Sequence, residues 1–129
     1  MKLNTKIIIL VILFCLKGIF HLVDGITAII AGMSYADYSD AFINAGIMAF
    51  IAYTLYATRN KWAYWIAVIF SGIVLVRFVL GIGLPLFWDT SLLTTSLVAL
   101  AILNALVFGA IPLILLSNKE LRNSFLEKK

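Results

Sequence analysis

Polar and apolar positions along this chain do not alternate. They segregate into four long apolar runs separated by short polar breaks, about Ile7 to Ala31, Ala41 to Ala57, Trp62 to Gly83 and Leu92 to Leu116. Each run is near the ~20 residues that carry a helix across ~30 Å of hydrocarbon at 1.5 Å per residue. In a bilayer only helices and closed barrels satisfy every backbone polar group within the segment, and runs of this length predict helices. The fold class predicted is therefore all-α, an integral membrane four-helix bundle forming a single transmembrane domain over residues 1–129, with a short basic tail at 118–129.

Composition removes the soluble alternative. Of the 129 residues 64% are hydrophobic and 12% charged, against roughly 45–50% and 25% in soluble domains. A chain this short cannot enclose that much apolar surface in its own core, so lipid must cover it. The start, with Lys2 and Lys6 ahead of Ile7 to Leu16, has the layout of a signal peptide. However, cleavage requires small residues, Phe14 and Lys17 occupy that region, and apolar sequence continues to Ala31, so the segment reads as the first span.

Charge then gives an orientation. Of ten basic residues, Lys2, Lys6, Arg59, Lys61, Lys119, Arg122, Lys128 and Lys129 flank the spans on one side, while the opposite loops hold only Asp37, Asp40 and Asp89. The excess of Lys and Arg on cytoplasmic loops predicts both termini inside, in a plasma or bacterial inner membrane. Tyr53, Tyr56, Trp62, Tyr64 and Trp65 would form the inner aromatic belt, and Tyr35, Tyr38, Phe87 and Trp88 the outer one. In the tail, Leu121 and Phe125 stand one turn apart among basic residues, a pattern expected to lie on the lipid surface.

Small residues recur every fourth position at Ala41, Ala45 and Ala49, at Ala63, Ala67 and Ser71, and at Ala101, Ala105 and Gly109. Such stripes let helix backbones approach closely where no hydrophobic effect drives association, and they predict a tight bundle. Ala41-x-x-Asn44-Ala45 and Ala101-x-x-Asn104-Ala105 lie sixty positions apart, an offset that Lys17 and Arg77 share. That spacing is the signature expected of two parallel copies of a two-helix hairpin.

The candidate chemistry lies inside the spans. An Arg, Lys or Asp at the centre of a span costs about 2.5–3.5 kcal/mol on the insertion scale, so each such group calls for a partner. Lys17, His21 and Asp24 fall on one face of the first helix at i, i+4 and i+7, and Arg77 lies in the third. Counting from the middle of each run puts Asp24, Asn44 and Arg77 at one depth, with Asn104 nearer the level of Lys17 and His21. An Asp24 to Arg77 ion pair is expected, with Asn44 able to bond to either. The candidate polar cluster is therefore Lys17, His21, Asp24, Asn44, Arg77 and Asn104.

No phosphate loop, HExxH, CxxC or nucleophile elbow occurs. A single His and a single Cys, Cys15, supply neither a disulfide framework nor a hydrolytic set. No catalytic residue, cofactor or metal is expected, and the basic residues mark span ends rather than a nucleic-acid stripe. The function expected is binding within the bilayer, as an accessory or inhibitory, immunity-type partner of another membrane component. Self-association is the other partner expected. The alternatives are an oligomeric small-solute or ion transporter or channel using the charged cluster, and a membrane-embedded lipid or quinone enzyme.

Overall fold

A computed structural model describes residues 2–83 and 94–127. Four of its helices are long and apolar enough to cross a membrane. Helix α1 is Leu3–Ile30; α2 is Tyr35–Tyr53, continued by a π-helical turn at Thr54–Thr58. Helix α3 is Lys61–Phe78, with a π turn at Val79–Gly83. Helix α4 runs as Thr95–Ala105, a π turn at Leu106–Ala110, and Ile111–Ser117; a short α5 follows at Lys119–Leu126. Predicted features at Phe87, Trp88 and Asp89, the predicted start of the fourth run at Leu92, and Lys128 and Lys129 lie outside the described residues.

The helix ends follow from local chemistry. Helix α1 stops where Gly32 takes a left-handed conformation, φ 72°, that a side chain resists. The Gly32 N–H donates to the Ile29 carbonyl and the Met33 N–H to the Ala28 carbonyl, both at 3.0 Å, so two orphan carbonyls are satisfied in a Schellman arrangement. Asn60, Thr94 and Asn118 cap α3, α4 and α5, their side-chain oxygens accepting from the N–H of Ala63, Leu97 and Leu121 at 3.0 to 3.1 Å. Helix α2 begins at Tyr35, so most of the polar stretch Gly32 to Asp40, predicted as a loop, is helical. Three Asp or Ser positions in its first turns hide the helix from a hydropathy reading.

Pro112 is expected to kink α4, and the structure gives the cause a form. Its ring supplies no N–H and crowds the carbonyl four residues back, and the turn Leu106–Ala110 widens to π geometry just ahead of it.

The core gathers at the end of the bundle that holds both termini. Ile7, Leu10, Phe14, Ile51, Leu55, Ala63, Ala67 and Leu116 pack there. Leu121 and Phe125 are fully buried in the same cluster, which corrects the lipid-surface expectation for the tail. Helix α5 folds back as a lid on the bundle. Lys6 fixes it from α1, donating to Asn118 Oδ1 at 3.2 Å and pairing with Glu120 at 3.7 Å. Tyr64 is a second correction. It leaves the predicted aromatic belt, is buried, and donates its hydroxyl to the Leu116 carbonyl at 2.7 Å, joining α3 to α4. Tyr53, Tyr56, Trp62 and Trp65 remain exposed, as a belt requires.

Within each hairpin the helices approach closely through small residues. On α3 the stripe Ala63, Ala67 and Ser71 is fully covered, and on α4 Ala105 and Gly109 are buried. A Cβ on Gly109 would stand 2.8 Å from a Leu75 methyl and 3.4 Å from the Ser71 carbonyl. On α2 the stripe is only partly used, because Ala45 is buried while Ala49 is exposed. The other side of that contact is Gly18 and Gly25 on α1. A Cβ on Gly18 would lie 3.3 Å from Met48 Cβ, and one on Gly25 2.9 Å from the Phe42 ring.

Candidate functional site

Beyond the core the two hairpins part. Between α1–α2 on one side and α3–α4 on the other lies a cavity of about 360 Å³. Its polar lining is Lys17 and His21 from α1, Asn44 from α2, Arg77 from α3 and Asn104 from α4. Five of the six residues of the predicted cluster thus meet in one space. Met48, Phe70, Ile73, Val74, Phe78, Gly81, Ile82 and Ala101 complete the wall.

The depth of these groups follows from where the helices begin. Taking the middle of each long helix, Lys17 lies within about 1 Å of the centre of Leu3–Ile30, and Asn104 and Asn44 roughly 3–4 Å from their centres toward the open half. His21 and Arg77 stand about 7–8 Å out, and Asp24 about 11 Å. The early start of α2 moves Asn44 inward to the level of Asn104, which corrects its predicted alignment with Asp24 and Arg77.

Lys17 is the centre of the arrangement. Its ammonium donates to Asn104 Oδ1 and sits 5.0 Å from the centroid of the Phe108 ring, whose negative face attracts a cation. Phe108 in turn meets Phe20 of α1 edge-on at 5.7 Å. Asn104 and Phe108 are one turn apart on α4, so a single face of that helix presents both an amide and an aromatic ring to Lys17. Phe108 is absent from the predicted cluster, although its i+4 spacing from Asn104 could have marked it.

The expected Asp24 to Arg77 ion pair does not form. Among the described residues the one salt bridge is Lys6 to Glu120, at the far end of the bundle. Arg77 lines the cavity between the hairpins. Asp24 lines a separate groove of about 480 Å³ between α1 and α4, with Phe20, Leu100, Leu103, Val107 and Phe108. Lys17 and Asn104 border both spaces, so their contact is the partition between cavity and groove. Depth alone suggested the pair; the direction in which each side chain leaves its helix separates it.

Toward the termini the cavity narrows. Leu13, Phe14, Met48, Phe70, Val74, Phe108 and Pro112 converge below Lys17 and leave a void of about 10 Å³, no more than about one water. Groups of three or more His, Cys, Asp or Glu side chains placed to hold a metal are not found among the described residues. Comparison with protein-family models, with curated proteins and with solved structures returns no match. The ground for a function is therefore the site itself.

Proposed function

We propose that this chain is a small multi-pass membrane protein, both termini cytoplasmic, that acts by binding within the bilayer as an accessory or inhibitory partner of another membrane component. The observation that carries this reading is the dead-end cavity. Among the described residues, a cavity with five polar side chains in its wall is bounded toward the termini by converging apolar side chains, an arrangement that can hold a group and offers no continuous path across. The flanking surfaces support it further, because Phe20, Leu100 and Leu103 beside the α1–α4 groove are exposed and available to a neighbouring apolar surface.

A second reading is an oligomeric transporter, favoured by two cationic side chains, Lys17 and Arg77, on the cavity wall. Transport would require the floor at Phe14, Met48 and Phe70 to open, and the sixty-residue correspondence of Lys17 with Arg77 and of Asn44 with Asn104 suits two hairpins rocking against each other.

Pull-down from native membranes in mild detergent tests the two against each other. The binding reading expects a second membrane protein in fixed ratio with the chain. Recovery of the chain alone, together with anion flux in liposomes, would overturn it in favour of transport. For orientation, Ser34→Cys in a Cys15→Ser background should react with an impermeant thiol reagent from outside intact cells, and Lys2→Cys should not.

A further inference from the structure

A cavity that binds must select its occupant by the chemistry of its walls. Resting on the binding reading, we infer that the cavity is an oxyanion site, taking a carboxylate or phosphate group between Lys17 and Arg77.

The first ground is unsatisfied charge. Lys17 has three N–H donors, and its partners are one neutral amide oxygen and one aromatic face. Neither Lys17 nor Arg77 has a carboxylate within 4 Å among the described residues. Asp24, the nearest acid in sequence, seven positions along α1, shares the α1–α4 groove with Lys17 but does not line this cavity. Counting it, the described residues lining the two spaces hold two cations, Lys17 and Arg77, against one carboxylate, a surplus of one positive charge. Held near the middle of a span, such a surplus is costly unless an anion joins it.

The second ground is the kind and placement of donors. The planar guanidinium of Arg77 matches the two oxygens of a carboxylate or phosphate, while the Lys17 ammonium acts as a point charge. Asn104 spends its oxygen on Lys17 and keeps its NH₂ for an acceptor, and Asn44 enters from the facing hairpin. Four helices thus direct five polar groups into a single space, His21 beside Lys17 from α1 being the fifth. At about 360 Å³ the cavity holds such a group with several waters, a water occupying about 30 Å³.

Two sources can supply the oxyanion. The groove beyond the Lys17–Asn104 partition carries Asp24 on its wall, and its remaining lining, Phe20, Leu100, Leu103, Val107 and Phe108, suits an apolar chain attached to the anion. An anionic lipid would use both spaces; a free solute anion would use the cavity alone.

Calorimetric titration of the purified chain separates these sources. The probes are inorganic phosphate, short-chain phosphatidylglycerol, and phosphatidylcholine of the same chain length as the uncharged control. Saturable binding of phosphatidylglycerol, of phosphate, or of both is expected, with phosphatidylcholine inert. Lys17→Gln and Arg77→Gln should each weaken binding about tenfold or more, the loss of a hydrogen bond to a charged group. Lys61→Gln, at the opposite end of the bundle, should leave it unchanged. Binding of both probes assigns a free oxyanion, and binding of the lipid alone assigns a headgroup.

Circular dichroism establishes that each variant is folded, and Lys17→Arg, which keeps the charge, should retain binding if a Gln variant fails to fold. Equal binding of phosphatidylcholine, no loss in either Gln variant, or no binding of any probe would overturn the assignment. Partner capture by the same variants keeps the two readings apart: capture retained without anion binding sinks the oxyanion and leaves the binding protein standing.

Discussion

The two halves of this bundle are built from the same kinds of helix and behave as opposites. In the half that holds the termini, α1 to α5 share one core in which Ile7, Leu10, Ile51, Leu55, Leu121 and Phe125 are fully buried. In the other half the hairpin α1–α2 keeps its own close contact through Gly25 against Phe42, while α3 and α4 close on each other near mid-bundle through Gly109 against Leu75. Across the gap between the hairpins, near mid-bundle, Lys17 meets Asn104 and Phe20 meets Phe108. The difference lies in what each half places at the centre. Apolar side chains facing one another at the terminal end can interdigitate to crystal-like density. Charged and amide groups facing one another at the same radius need partners and water, and they hold the hairpins apart.

The largest effect should come from breaking the packed half. Phe125→Ala removes a fully buried ring that lies 6.2 Å from the Tyr64 ring, and should lower stability by about 3–5 kcal/mol. Leu103→Ala, at an exposed position beside the groove, should stay within about 0.5 kcal/mol. Thermal melts in one detergent compare them. A loss for Phe125→Ala as small as that expected for Leu103→Ala would mean that the tail contributes no core and that the contrast between the halves is false.

The next effect concerns the contact that joins the hairpins. Asn104→Leu strips the Lys17 ammonium of its acceptor and should cost about 1.5–3 kcal/mol. Adding Lys17→Met should recover part of that loss, with a coupling on the order of 0.5–3 kcal/mol. If the double mutant simply sums the singles, Lys17 and Asn104 do not act as a pair, and the partition between cavity and groove loses its basis.

The smallest effect is a near-zero. Asp24 and Arg77 line different spaces, so Asp24→Asn and Arg77→Gln should add to within about 0.3–0.5 kcal/mol. A larger coupling would restore the ion pair expected from depth alone and would remove Arg77 from the oxyanion site.

Much of the architecture is written in the sequence, because the bilayer is a demanding solvent. It requires long apolar runs, internal satisfaction of every backbone group and small residues at crossings, and each demand leaves a mark that one chain displays. The four long apolar helices, the small-residue faces on α3 and α4, and the cluster around Lys17 are legible for that reason. Side-chain direction is not. A count of residues gives depth along a helix but not the azimuth at which two helices face each other. It therefore paired Asp24 with Arg77 across spaces that the packing keeps separate.

Two other features depended on groups distant in sequence. The tail reads as amphipathic, and nothing local distinguishes a lipid surface from a protein one. Lys6, Asn118, Glu120, Tyr64 and Leu116 come together only when the first and last helices are neighbours, and that meeting draws Leu121 and Phe125 into the core. Likewise the sequence supplied Lys17, His21, Asn44, Arg77 and Asn104 as polar groups within long apolar runs, while the parting of the hairpins made them part of the wall of one cavity. Apolarity and residue spacing are properties of the chain; a cavity is a property of surfaces that fail to meet, and only the assembled helices decide where that happens.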